Sequence, residues 1–308
     1  MRYNKPPLSA EKQASRLIER GLICPDLERL KHYLTHIGYY RLSAYWLPFE
    51  LPSDDGAHRN HTFQDGTTFD RVLDLYDFDR KLRLLVMDAI ERIEVAVRTC
   101  WANGMALKYG PHAYLDSLQF KNPWQHIQDI ARLSKIVENS QEACIVHYRR
   151  TYPEPLQPPI WSSVEVMSFG HLSRWLQNTK DNEVKKEVAK SLGLPTVELL
   201  EKILHVFTPM RNTCAHHGRL WNRQFAMKLP EFRRLRERLV PNNAPDKQAN
   251  KMFNYLVIIE YLKATINPRG TWKTQLVEHL KTVPMSDLLA MGFPVDWKER
   301  EPWTGAFL

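Results

Sequence analysis

The chain has 308 residues, 43% hydrophobic and 25% charged, the balance of an ordinary globular protein long enough for one large or two modest domains. Its net charge of +8 favours an acidic partner, nucleic acid being the commonest, but the positive residues are scattered and fit a merely soluble basic protein equally well. Cys24, Cys100, Cys144 and Cys214 lie far apart with no CxxC pair, which argues against a disulfide framework and against a zinc knuckle. The N-terminal MRYNKPPLSAEKQ has no apolar signal-peptide core, and no apolar run approaches the roughly 18 to 20 residues of a membrane span, so a cytoplasmic protein without a membrane is expected.

Helical spacing dominates the chain. Ser9 is placed to cap a helix running to Gly21, and Asp26 to start another ending near Gly38. The aromatic cluster Tyr39, Tyr40, Tyr45, Trp46 and Phe49 closes at Pro48, and residues 51–66 read as a polar surface loop. Thr67 or Thr68 then caps the longest periodic segment. Its apolar residues, from Phe69 and Val72 through Ile90, Ile93 and Val97 to Trp101, recur at three- and four-residue steps and end before Gly110-Pro111.

Further helices are predicted from about Trp124 to Val137 and from Ser140 to Tyr152, where the prolines 153, 155, 158 and 159 break the pattern. Others follow at Ser163–Asn178, Asn182–Leu192 and from Pro195. A short basic helix is predicted at Glu231–Leu239, a linker at 241–251 (PNNAPDKQANK), and helices at Met252–Ile266 and Thr271–Lys281. The tail carries Trp297, Trp303 and Phe307. No alternating pattern is long enough for a sheet, so the class is all-α. The expected organisation is N-terminal helices and a polar loop (1–66), a helical core (67–228) and a C-terminal helical extension (229–308), an arrangement that also fits one compact unit.

The stretch Arg211-Asn212-Thr213-Cys214-Ala215-His216, followed by His217, carries the candidate chemistry. RNA brings its own nucleophile, the 2′-hydroxyl. A histidine moves a proton near neutral pH and an arginine stabilises charge building on phosphate, so no metal or other cofactor is needed. Thr208-Pro209 interrupts the segment as either a kink, which is favoured, or a helix restart that would put Arg211 and Asn212 in a phosphate-attracting first turn. On a continuous helix Arg211 and His216 sit about 140° apart, whereas Asn212 and His216 share a face. A second copy across a two-fold axis would bring two Arg/His pairs around one cleft, which makes a homodimer part of the expectation. For the motif alone, an arginine that holds the helix and a core-facing histidine pair is the commoner meaning. A zinc site on Cys214, His216 and His217 lacks a second Cys/His pair.

Glu91, Glu94 and Arg98 form a polar group on the long helix. Glu94 and Arg98 have ion-pair spacing, which reads first as a solvated salt bridge and second as a patch beside the Arg/His cleft. Most of the aromatic residues read as core. Arg41, Arg219 and Arg223 remain candidates for contacting RNA.

The segments HIGYYRLSAYWLPFE, DLYDFDRKLRLLVMDAIERIEVAVRT, WSSVEVMSFGHLS and MRNTCAHHGRLWNR, in order from residue 36 to 223, together with MGFPVDW in the tail, resemble the Abi family of bacterial abortive-infection proteins, the AbiD/AbiF-like group of the HEPN superfamily. The resemblance implies a HEPN-like helical bundle with additional N- and C-terminal helices. It also implies metal-independent endoribonuclease activity at a dimer-composite site, a role in phage defence or as a toxin, and restraint by a partner such as a structured small RNA. Arg211 and His216 match the fixed positions of the R-x4-6-H motif, and Asn212 the polar residue after the arginine. His217 is an adjacent alternative, and Glu94 and Arg98 match polar positions of the earlier helix. Relatives often carry a histidine a few residues beyond the equivalent of Arg98, where this chain reads Thr-Cys-Trp-Ala-Asn103-Gly104, and Pro209 also departs from the pattern. The alternative expectation is a catalytically inactive helical module that holds a structured RNA or a phage component.

Overall fold

Side-chain caps start most of the longer helices. Ser9 accepts the Lys12 N–H ahead of α1 (Ala10–Glu19), and Asp26 accepts the Arg29 N–H ahead of α2 (Leu27–His36). α3 (Tyr39–Trp46) runs into a 3-10 turn at Leu47–Phe49, where Pro48 ends the regular helix. Thr68 rather than Thr67 caps α4 (Phe69–Tyr109), its hydroxyl accepting the Arg71 N–H at 3.2 Å. The computed structural model describes residues 6–52 and 59–305. Residues 53–58 of the expected polar loop, and Phe307 of the tail, lie outside them.

The fold is all-α. Among the described residues no strand forms, only the isolated bridges Ile23–Thr68, Glu50–Phe63 and Phe120–Thr179. The chain divides into two compact units, Met1–Lys81 and Leu82–Leu308. In the first, Leu17, Leu30, Leu42, Tyr45, Trp46 and Val72 are buried, and the Tyr45 hydroxyl donates to the buried Asp79 carboxylate at 2.6 Å.

The second unit holds α5 (Pro123–Asn139), α6 (Ala143–Thr151), α7 (Ile160–Ser163), α8 (Phe169–Asn178), α9 (Asn182–Ser191), α10 (Val197–Ala215), α11 (Met252–Ile266), α12 (Trp272–Leu280) and α13 (Met285–Ala290). α8 packs on both α5 and α10. The α8–α10 approach is close because residue 170 is glycine: a Cβ there would meet Thr208 Cγ2 at 3.2 Å. α11 is buried on nearly every side, as a helix apolar all round must be. Trp297 and Trp303 are buried, and all four cysteines are free thiols. No helix among the described residues is long and apolar enough to cross a membrane.

Three local expectations are corrected, and one short helix was not foreseen. The helix expected at Ser163–Asn178 is two: a 3-10 turn at Val164–Val166 leads to extended Met167 and Ser168, and Ser168 caps α8 by accepting the His171 N–H. A serine that can cap competes with helix continuation at that point. The basic segment 231–239 contains only a 3-10 turn at Arg233–Leu235, where buried Phe232 is extended ahead of the turn and Leu235 is buried within it. Residues 241–251 are packed chain, not a free linker, with a 3-10 stretch at Pro245–Asn250 and Ala249 and Asn250 buried. α13 has no counterpart in the sequence reading; at six residues it is too short to show periodicity.

α11 also buries the carboxyl of Glu260, and burial pushes it from 4.5 up to about 7 against the pull of Lys273 and Lys263. The folded state therefore keeps this proton while the unfolded chain loses it. Stability falls as pH rises from the unfolded value through about 7, by roughly 3 kcal/mol in total. Glu260→Gln is expected to abolish that part of the decline in urea unfolding followed by circular dichroism, so the two proteins differ most above pH 7. Parallel stability–pH curves for the two proteins would contradict it.

Candidate functional site

α10 starts at Thr196, whose hydroxyl accepts the Leu199 N–H. Leu199, Leu200, Ile203, Leu204, Phe207, Met210 and Cys214 form its buried stripe. The helix runs unbroken through Pro209, so the restart does not occur. Thr208 turns its hydroxyl back to the Leu204 carbonyl at 2.9 Å instead of capping, and Thr213 does the same to the Pro209 carbonyl at 2.8 Å. Arg211 and Asn212 therefore lie in the last five residues of the helix. The helix dipole offers a phosphate nothing there, and any attraction must come from side chains.

Arg211 sits at the edge of the buried stripe and reaches α4. Its Nε lies 3.6 Å from Glu94 Oε2, and its side chain is 28% exposed. Glu94 is buried, with 7% of its side chain exposed, and also pairs with Arg98, which donates to the Met167 carbonyl at 2.6 Å. The Glu94–Arg98 pair is thus not the solvated salt bridge that its spacing suggested. One carboxylate joins two guanidiniums, and the Nε atoms of Arg98 and Arg211 are buried without a hydrogen-bond acceptor. Burial raises the Glu94 carboxyl above its ordinary value; Arg98 and Arg211 oppose that without cancelling it, and Glu91 adds to it. Glu94, Arg98 and Arg211 together carry one positive charge in excess, which nearby Glu91 offsets, so an anion would be met by the part-exposed Arg211 side chain and not by a net charge of the cluster.

The end of α10 places the other motif residues. His216 is the C-cap, its N–H bonded to the Asn212 carbonyl at 2.9 Å. The His217 N–H bonds to the Cys214 carbonyl at 3.0 Å and the Gly218 N–H to the Thr213 carbonyl at 2.7 Å, a Schellman closure. His217 holds the left-handed position with φ 57°, where glycine is usual. Asn212, His216 and His217 are exposed while Cys214 is buried, so the histidines are not core-facing and do not converge on the thiol. No hydrogen bond or ion pair joins Arg211 to His216 among the described residues. Beyond the turn, buried Leu220 and Trp221 anchor the chain. Arg223, exposed, donates to the Arg219 carbonyl at 3.3 Å and lies 5.9 Å from the Phe225 ring centre. Trp221, Tyr45 and Trp46 are core and offer no stacking surface. Arg41 is exposed on α3 in the other unit.

Two features escaped the sequence reading. One is the Met167 carbonyl, freed by the break before α8. The other is a polar cluster of Asp129, Arg132, His171 and Arg174 between α5 and α8. Beyond Arg98 on α4, where the family resemblance leads one to expect a histidine, Asn103 is exposed, and Gly104 lets α4 approach α9: a Cβ there would meet Val184 Cγ1 at 3.0 Å. Among the described residues no group of three or more His, Cys, Asp or Glu is placed to hold a metal ion.

A family model described as Abi-like protein matches residues 32–222. Comparison with curated proteins and with solved structures finds no match.

Glu94→Ala would strand two guanidiniums in a largely buried site and is expected to cost about 3 kcal/mol in urea unfolding. An unchanged midpoint would show that the carboxylate does not hold the arginines. His217→Gly relieves the left-handed backbone and is expected to stabilise the protein by about 1 kcal/mol, raising Tm by about 2 °C; a lower Tm would mean that the imidazole holds the turn.

Proposed function

The chain belongs to the Abi-like protein family, and on that premise we propose that it is an endoribonuclease of HEPN type acting in abortive infection, as a toxin held in check by a partner such as a structured small RNA. The observation that carries this reading is the division of labour at the end of α10. Arg211 is pinned by the buried Glu94 carboxylate, while His216 and Asn212 stand exposed immediately beyond it.

The chemistry needs no group from outside the protein and the RNA. Arg211 binds the scissile phosphate and stabilises the charge that builds on its oxygens. A histidine takes the proton of the 2′-hydroxyl as its oxygen attacks phosphorus. The bond from phosphorus to the 5′-oxygen breaks, and a second histidine protonates that oxygen. The products are a 2′,3′-cyclic phosphate and a 5′-hydroxyl. Two proton-transfer groups are required, and a homodimer supplies His216 twice. It also answers the geometry, because Arg211 turns to α4 while its own His216 caps the helix. Asn212, exposed on the face it shares with His216, positions one of the two motif residues, and Glu94 positions Arg211.

Arg211→Ala/His216→Ala is expected to abolish growth arrest on expression and to lower cleavage of cellular RNA in EDTA by at least about 100-fold, with cyclic phosphate ends on the wild-type products. Equal toxicity and cleavage from both proteins would refute the assignment. Tight, salt-dependent RNA binding without cleavage by the wild type would establish an inactive RNA-holding module instead.

A further inference from the structure

The cluster between α5 and α8 is a second arrangement of arginines around a buried carboxylate. Asp129, with 2% of its side chain exposed, accepts from Arg132 Nη1 at 3.3 Å and lies 3.4 Å from Arg174 Nη2. Gln125 donates to its other oxygen at 3.0 Å. The guanidinium side chains are 47% and 40% exposed, so the acid is hidden and the cations face solvent. The Nε of Arg174 is buried with no acceptor. His171, half-buried in the first turn of α8, faces the same three groups. Burial first, then Arg174, holds its ring below the ordinary value of 6.5, so it is neutral at pH 7.

A cluster that only pinned α5 to α8 would need one arginine. Two guanidiniums on one carboxylate leave a positive charge in excess and N–H donors pointing outward. Because Asp129 already holds both, a phosphate that binds them need not order two free side chains. Each arginine meets Asp129 through a single Nη, so its other Nη donors stay available to a phosphate oxygen.

Two neighbours indicate what carries the phosphate. Trp124, two turns before Arg132 on α5, is 77% exposed, an indole face open to a flat partner. α8 leads from this cluster to the Arg211 site, since the Met167 carbonyl just ahead of it is held by Arg98, the partner of Glu94. Arg174 lies five residues into α8, about 8 Å by helical rise from Phe169 at its start.

We propose that Arg132 and Arg174, oriented by Asp129, form a second phosphate subsite for a single-stranded RNA whose bases stack on Trp124 and whose continuation reaches the Arg211 site. The last clause rests on the ribonuclease reading; the subsite itself does not. Binding of a fluorescent, unstructured 2′-O-methyl RNA, which lacks the nucleophile and stays uncut, tests it by anisotropy across a salt series.

Arg132→Gln/Arg174→Gln is expected to make the slope of log affinity against log salt shallower by about 0.7, the share of the one phosphate that is no longer neutralised. Trp124→Ala weakens binding about tenfold with the slope unchanged. Lys186→Gln, at an exposed pair with Glu183, changes neither. If the double variant unfolds on its stranded carboxylate, Arg132→Gln alone is expected to lower the slope by about 0.7. A folded double variant with the wild-type slope, or a wild type that binds no RNA, overturns the subsite. A wild type that binds with the expected slopes but does not cut ordinary RNA leaves the subsite standing and removes only the catalytic reading.

Discussion

The Glu94 carboxylate between Arg98 and Arg211 is the contact on which the proposed site depends. It is a costly element: a buried carboxylate is stabilised only by its partners, and two guanidiniums must leave water to reach it. In return one side chain ties α4 to α10 and, through Arg98 and the Met167 carbonyl, to the chain entering α8. Arg211 is thereby held by a fixed partner without being neutralised by it, because Arg98 shares the same charge. A phosphate arriving there would meet a cation already oriented, so little side-chain entropy is lost on binding.

The second constraint is the way α10 ends. Pro209 does not split the helix, and the Schellman closure turns the chain directly after His216. This keeps Asn212 and His216 together on the exposed end and leaves Arg211 facing α4. His217 occupies a left-handed position that a glycine would hold at lower cost, a local strain of the kind that collects where side chains serve function. The same geometry separates Arg211 from its own His216, which is the physical reason the proposed chemistry is written for two copies of the chain.

Several helices were legible in the sequence: α1 and α2 from the caps Ser9 and Asp26, α4 from its long stripe, and α11 and α12 within a residue or so from their apolar content and the breaks that flank them. The break before α8 was not, because residues 163–178 carry a helical pattern throughout. What ends the first piece is the Ser168 cap and an arginine nearly seventy positions earlier that takes the Met167 carbonyl. At the proposed site, the spacing singled out Arg211, Asn212 and His216 as candidates and foresaw that Arg211 and His216 would part. It could not show that the Glu94–Arg98 pair is buried, since α4 carries charges around much of its circumference and only the packing of α10 decides which are covered. The Asp129 cluster was invisible for the same reason. Asp129 and Arg174 stand far apart in sequence, and each reads alone as an ordinary surface charge.

The proposed composite site is tested most directly by mixed dimers. Wild type and a tagged His216→Ala are unfolded and refolded together, and the mixed dimer is isolated through the tag. If one cleft draws His216 from both copies, the mixed dimer is as inactive in RNA cleavage as the His216→Ala homodimer. A mixed dimer that keeps about half of the wild-type cleavage would contradict the account.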